Sequence, residues 1–99
     1  MKFPKKLKVG PYDYKVLGWD TQAWAAGRRG ECDPLNKIIR IADGLPDQLR
    51  TETLIHEILH SVYSTMHIND EDDEETTVTK MATGLAMVFR DNPKLKELL

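Results

Sequence analysis

The chain has 99 residues, 40% of them hydrophobic and 30% charged, with a formal net charge of −2. That length supports one domain, residues 1–99, with a single two-layer core. A charge this close to neutral gives no electrostatic reason to expect nucleic acid or a membrane surface as partner. Cys32 has no second cysteine to pair with, which argues for a reducing compartment. Met1-Lys2-Phe3-Pro4-Lys5-Lys6 has no apolar stretch behind it and does not read as a signal peptide, and no run reaches the ~20 apolar residues of a membrane span. The expectation is a cytoplasmic protein.

The near-neutral total hides an asymmetry. Lys2, Lys5, Lys6, Lys8, Lys15, Arg28 and Arg29 lie in the first third, whereas acid gathers in Asp70-Glu71-Asp72-Asp73-Glu74-Glu75. The lysines spread over a predicted hairpin without aromatics at base-stacking spacing, so they do not make a nucleic-acid site.

In chain order, Leu7-Lys8-Val9, the Gly10-Pro11 punctuation and Tyr12 to Leu17 predict a β-hairpin. Gly18 to Gly30, with Trp19, Trp24 and several alanines, has no clear period and reads as loop. Lys37-Ile38-Ile39-Arg40-Ile41-Ala42 follows Asp33-Pro34, is rich in β-branched residues and predicts a strand closed by Asp43-Gly44. Pro46 opens a helix expected to run to about Met66, with Asp47 where the helix dipole favours negative charge. A second helix begins within the acidic run and continues through Phe89 until Asn92-Pro93 stops it, and Lys94 to Leu99 suit a last short turn. Strands first and helices after give an α+β class, a small N-terminal sheet packed on two helices.

On a helical wheel the first helix separates into two faces. Leu54, Ile55, Ile58, Leu59, Val62 and Met66 gather on the core side, and His56 and His60 fall together on the other, with Glu52, Tyr63 and His67. A spacing of four stacks two side chains ~5–6 Å apart at Cβ, so both imidazoles can reach one ion at ~2.0–2.1 Å. Glu57 is displaced from that stripe, too far round to be a convenient ligand but placed to hold a water at the ion. His56-Glu57-Ile58-Leu59-His60 therefore has the form H-E-x-x-H, two zinc ligands and a general base. The pattern arises by chance in a chain this long on the order of once in a few hundred; its place in an amphipathic helix with the histidines off the core face strengthens it.

A catalytic zinc usually takes a third protein ligand. On the second helix Val78, Met81, Ala82, Leu85 and Phe89 form an apolar stripe which, carried back, meets Glu71, Glu74 and Glu75. A glutamate of this run is one candidate and His67 the other, and Tyr63 stands where the glycine of the longer histidine pattern would be. Tyr63 and His67 could also stabilise an oxyanion. The strand around Ile38 to Ile41 could, at a sheet edge, pair with an extended substrate. Cys32 could cap the ion, although a small buried hydrophobe is its ordinary role.

Thr53-Leu54-Ile55-His56-Glu57-Ile58-Leu59-His60, followed by Glu75-x-x-Val78-x-x-Met81-Ala82-x-x-Leu85, resembles the ImmA/IrrE-type metallopeptidases, and more closely the very small phage-encoded gluzincins whose chains end in a motif like Arg90-Asp91-Asn92-Pro93. The resemblance covers about Lys37 to Pro93, with the Val9-Gly10-Pro11-Tyr12 turn also similar. It implies a minimal zincin-like domain, a zinc peptidase with His56, His60 and Glu75 as ligands and Glu57 as base, and a peptide or protein substrate. The chain departs from the larger relatives in carrying valine where they have alanine and in lacking their extra helical or sensing domain. A zinc-binding regulatory module with little catalysis is the alternative function, and a metal-free structural protein a third. The sequence specifies neither oligomeric state nor cleavage preference.

Overall fold

A four-stranded mixed sheet comes first in the chain and two helices follow, so the protein is α+β. The computed structural model describes residues 3–20 and 27–98. Strands β1 (Lys6–Val9) and β2 (Tyr12–Trp19) form the expected hairpin. Gly10 takes φ 59°, the sign required at the first central position of a type II′ turn, and Pro11 follows it. Alternation then sends Leu7, Val9, Tyr14 and Val16 inward and leaves Lys6, Lys8 and Lys15 outside.

Strand β3 (Gly30–Asp33) pairs antiparallel with β4 (Ile38–Ala42), and β4 pairs parallel with β2, giving the order β1-β2-β4-β3. The loop expected over Gly18 to Gly30 is thus shortened at both ends: β2 continues to Trp19 and Gly30 opens β3. β3 escapes a pattern search because Gly-Glu-Cys-Asp has no β-branched residue and all of its residues are half-buried, without alternation. Asp33 turns the chain into β4, its Oδ1 accepting from the N–H groups of Leu35 and Asn36, both at 3.1 Å. β4 therefore lies inside the sheet, which corrects the expectation that it could offer an edge; the edge strands are β1 and β3.

Helix α1 (Asp47–Thr65) is preceded by Pro46 as its N-cap, one residue later than expected, with Asp47 in the first turn. Helix α2 (Glu74–Asp91) is capped by Asp73, whose Oδ1 accepts from the Thr76 N–H at 2.7 Å. A 3-10 turn (Pro93–Leu98) buries Leu95. α1 packs on β3 and β4, α2 on β1, and the core joins Leu7, Tyr14, Ile39 and Ile41 of the sheet to Leu54, Ile58 and Val62 of α1 and Val88 of α2.

Both helices are rotated from the faces read in the sequence. The buried arc of α1 is Thr53, Leu54, Glu57, Ile58, Ser61 and Val62, and Ile55 is exposed. The cause is β3, which covers the Thr53–Glu57 flank. On α2 the buried residues are Gly84 and Val88, with Met81 and Leu85 partly buried, whereas Val78 and Phe89 are exposed. Gly84 decides this rotation: a Cβ there would lie 2.4 Å from Val62 Cγ1 and 3.0 Å from Met66 Cγ, so the helices cross where α2 has no side chain.

Asn92 ties the end of α2 to the sheet. Its Nδ2 donates to the carbonyls of Lys8 at 2.7 Å and Val88 at 2.8 Å, and its Oδ1 accepts from the Lys8 N–H at 2.9 Å. One amide side chain thus satisfies both main-chain groups of an edge-strand residue and a carbonyl in the last turn of the helix.

Candidate metal centre

His56 and His60 stand one turn apart on the exposed side of α1, as the spacing of four requires. Their Nε2 atoms are 3.2 Å apart and their ring centroids 4.9 Å apart, with planes at 65°. Two nitrogens bound at ~2.0–2.1 Å to one tetrahedral ion lie about 3.3 Å from each other. The rings are therefore close to the geometry that shared coordination needs. At this distance one ring can also donate a hydrogen bond to the other.

Glu57 completes the group. Ligand atoms of His56, Glu57 and His60 all lie within 4.8 Å of one another, and this trio could hold a metal ion. Glu57 is 6% exposed, packed under β3 where the absent side chain of Gly30 leaves room: a Cβ there would stand 3.0 Å from Glu57 Oε2 and 2.7 Å from Thr53 Cγ2. Burial pushes the Glu57 carboxyl above the usual carboxylate range, and His56 and His60 pull against that shift. A desolvated carboxyl beside two imidazoles gains from a cation placed between them.

Two clefts meet at His56 and Glu57. One, of about 270 Å³, runs between Arg28 to Gly30 and Glu52, Thr53, His56 and Glu57. The other, of about 500 Å³, continues along β3 past Cys32 to His60 and Tyr63. Both are lined by residues of β3 and α1.

The remaining candidates stand apart from the trio. Glu75 is exposed in the first turn of α2 and does not belong to the converging group; nor do Glu71, Glu74 or His67, all exposed. The stripe that was to carry Glu75 inward begins with Val78, and Val78 itself faces solvent at 53% exposure. His67 follows the end of α1 in a left-handed conformation, φ 53°, and its carbonyl accepts from Lys80 Nζ at 3.1 Å. The Tyr63 hydroxyl lines the larger cleft and donates to Asp70 Oδ1 at 3.4 Å. Cys32 lines the same cleft outside the trio, and burial, followed by the charge of Glu57, pushes its thiol up to about 11. It is a protonated, half-buried side chain at neutral pH. Trp19 ends β2 and stacks under Arg28 at 4.9 Å, while Trp24 lies outside the described residues.

Two features of this site escaped the sequence reading. Gly30 lets β3 close over Glu57, and Arg28 sits at the junction of both clefts. A glycine opening a short polar strand was the available signal for the first. No helix among the described residues is long and apolar enough to cross a membrane. Comparison with protein-family models, curated proteins and solved structures returns no match, so the likeness to small gluzincins rests on the motif residues themselves.

Proposed function

We propose that this protein is a zinc-dependent metallopeptidase whose metal is held by His56 and His60 and whose general base is Glu57. The observation that carries the proposal is the convergence of two imidazoles and the carboxylate of a buried glutamate at the junction of two clefts. Zinc suits the donor set, and when bound it supplies a Lewis acid that lowers the pKa of a water toward about 7 and polarises a carbonyl. The imidazoles of His56 and His60 would hold the ion, with their ligating nitrogens unprotonated. Glu57 accepts a proton from the attacking water and returns it to the leaving amine. Its desolvation favours that role, since a carboxylate whose pKa is raised is a stronger base. The unpaired edge of β3 offers main-chain groups to an extended peptide lying over the trio.

The resemblance adds Glu75 as third ligand. The ligand set proposed here is the imidazole pair, with Glu57 beside it, because Glu75 stands outside the group; its part rests on the resemblance alone. The test is cleavage of a mixture of fluorogenic peptides by zinc-loaded protein, followed by mass spectrometry of the products. Wild type should cleave, and Glu57→Gln should hold zinc without cleaving. Zinc uptake with no cleavage by wild type would make the protein a zinc-binding module instead.

A further inference from the structure

The smaller cleft beside His56 and Glu57 is asymmetric in charge. Arg28 and Arg29 form one wall, and Glu52, one helical turn before His56, is the acid on the other apart from Glu57 itself. Arg28 is held in place: its guanidinium lies 4.9 Å above the Trp19 ring, and one of its nitrogens bonds Glu31 Oε1 at 3.2 Å. The same Glu31 carboxylate also serves Arg40, through Oε2 at 2.8 Å, so a single acid is shared by two guanidiniums. Arg29 is exposed and forms no ion pair among the described residues. The wall therefore keeps positive charge in excess, and Arg28 retains N–H donors in the planar fork that matches a carboxylate. At about 270 Å³ the cleft suits one side chain with its backbone, near the lower end of the ~300–1,000 Å³ of ligand pockets.

We infer that this cleft is a specificity subsite for an acidic side chain, so that the substrate is an extended peptide carrying Asp or Glu at one fixed position beside the scissile bond. The inference rests on the peptidase reading and adds the residue that the peptide must present. An extended chain paired with β3 passes Gly30 next to Glu57, and its neighbouring residue then falls against Arg28 and Arg29. Glu52 opposes the same charge from the facing wall and limits the preference.

Fluorescein-labelled alanine-based octapeptides, each with a single Glu, Gln or Lys moved through successive positions, test this against zinc-loaded Glu57→Gln protein by fluorescence anisotropy. At one position Glu should bind about tenfold tighter than Gln, the scale of one charge-assisted bidentate contact, and Lys weaker than either. That preference should shrink with added salt, reverse in Arg28→Glu/Arg29→Glu and grow a few-fold in Glu52→Gln. Wild type should cut the Glu peptide in preference to the Gln peptide at the same bond. Binding that does not distinguish Glu, Gln and Lys at any position overturns the subsite and leaves the peptidase reading intact. A labelled deoxythymidine decamer that binds as tightly as the best peptide, through both arginines, also overturns it, by marking them as phosphate contacts. Protein that takes up no zinc defeats the peptidase reading instead, and the same peptides titrated into that metal-free protein still report whether the arginine wall prefers Glu.

Discussion

Replacing Gly30 with alanine tests how closely β3 must approach α1. The added Cβ would stand 2.7 Å from Thr53 Cγ2, 3.0 Å from Glu57 Oε2 and 3.1 Å from the Arg40 carbonyl oxygen. Ordinary van der Waals contact at a Cβ lies between 3.4 and 4 Å, so three neighbours must give way together. Thr53 is buried and Arg40 contributes backbone from the adjacent strand, so neither yields as the tip of a flexible side chain would. Overpacking of this kind costs about 1–3 kcal/mol. Against it, removing a glycine recovers about 0.5–1 kcal/mol of unfolded-chain entropy. The net expectation is a loss of roughly 0–2.5 kcal/mol, centred near 1, with Tm falling by about 4–8 °C for each kcal/mol lost in a chain of this size. Because Glu57 is one of the displaced groups, zinc affinity should also change, whereas a defect confined to the sheet would leave it alone. Differential scanning calorimetry of the metal-free protein and zinc titration of both forms supply the two numbers. An alanine variant more stable than wild type, with unchanged zinc affinity, would refute the close packing of β3 over Glu57.

Further outcomes follow from the same geometry. Asn92→Ala removes the hydrogen bonds to the Lys8 N–H and to the Lys8 and Val88 carbonyls, and should cost about 0.5–1.5 kcal/mol by urea denaturation, with the amides of β1 exchanging faster. Glu57 has a raised carboxyl pKa in the folded metal-free protein; its contribution to stability is fully present below the ordinary glutamate range and lost as pH rises through the raised value. Glu57→Gln should therefore stabilise the metal-free protein at neutral pH and flatten its stability–pH profile above pH 4.5, the ordinary value for that group; an unchanged profile would contradict the burial argument. Glu75→Ala should change zinc affinity by less than about threefold, since removing a ligand costs far more than removing an exposed neighbour. A loss of a hundredfold would establish Glu75 as the third ligand.

The parts of the fold legible in the sequence were those with a strong local period or a strong local signal. Alternation and Gly10-Pro11 gave the β1–β2 hairpin, β-branched residues gave β4, and Asn92-Pro93 gave the end of α2. The imidazole pair was legible for the same reason, because a spacing of four in a helix fixes geometry without any tertiary contact. What was hidden depends on partners distant in sequence. β3 earns its place by pairing with β4 rather than by composition, and once it covers Thr53 and Glu57 the buried arc of α1 turns away from Ile55. Gly84 turns α2 in the same way, through a contact with Val62 that no wheel displays. Asn92 read as the residue before a proline and as part of a terminal motif, whereas its side chain joins β1 to α2 across a sequence separation of 84.

Zinc titration by isothermal calorimetry, on wild type and on the His56→Ala and His60→Ala variants, bears most directly on the chemistry assigned to this helix. Wild type should bind one zinc per chain, and each alanine variant should lose more than about a hundredfold in affinity while keeping its circular dichroism spectrum. A wild-type protein that binds no zinc, or variants that bind it as well as wild type does, would contradict it.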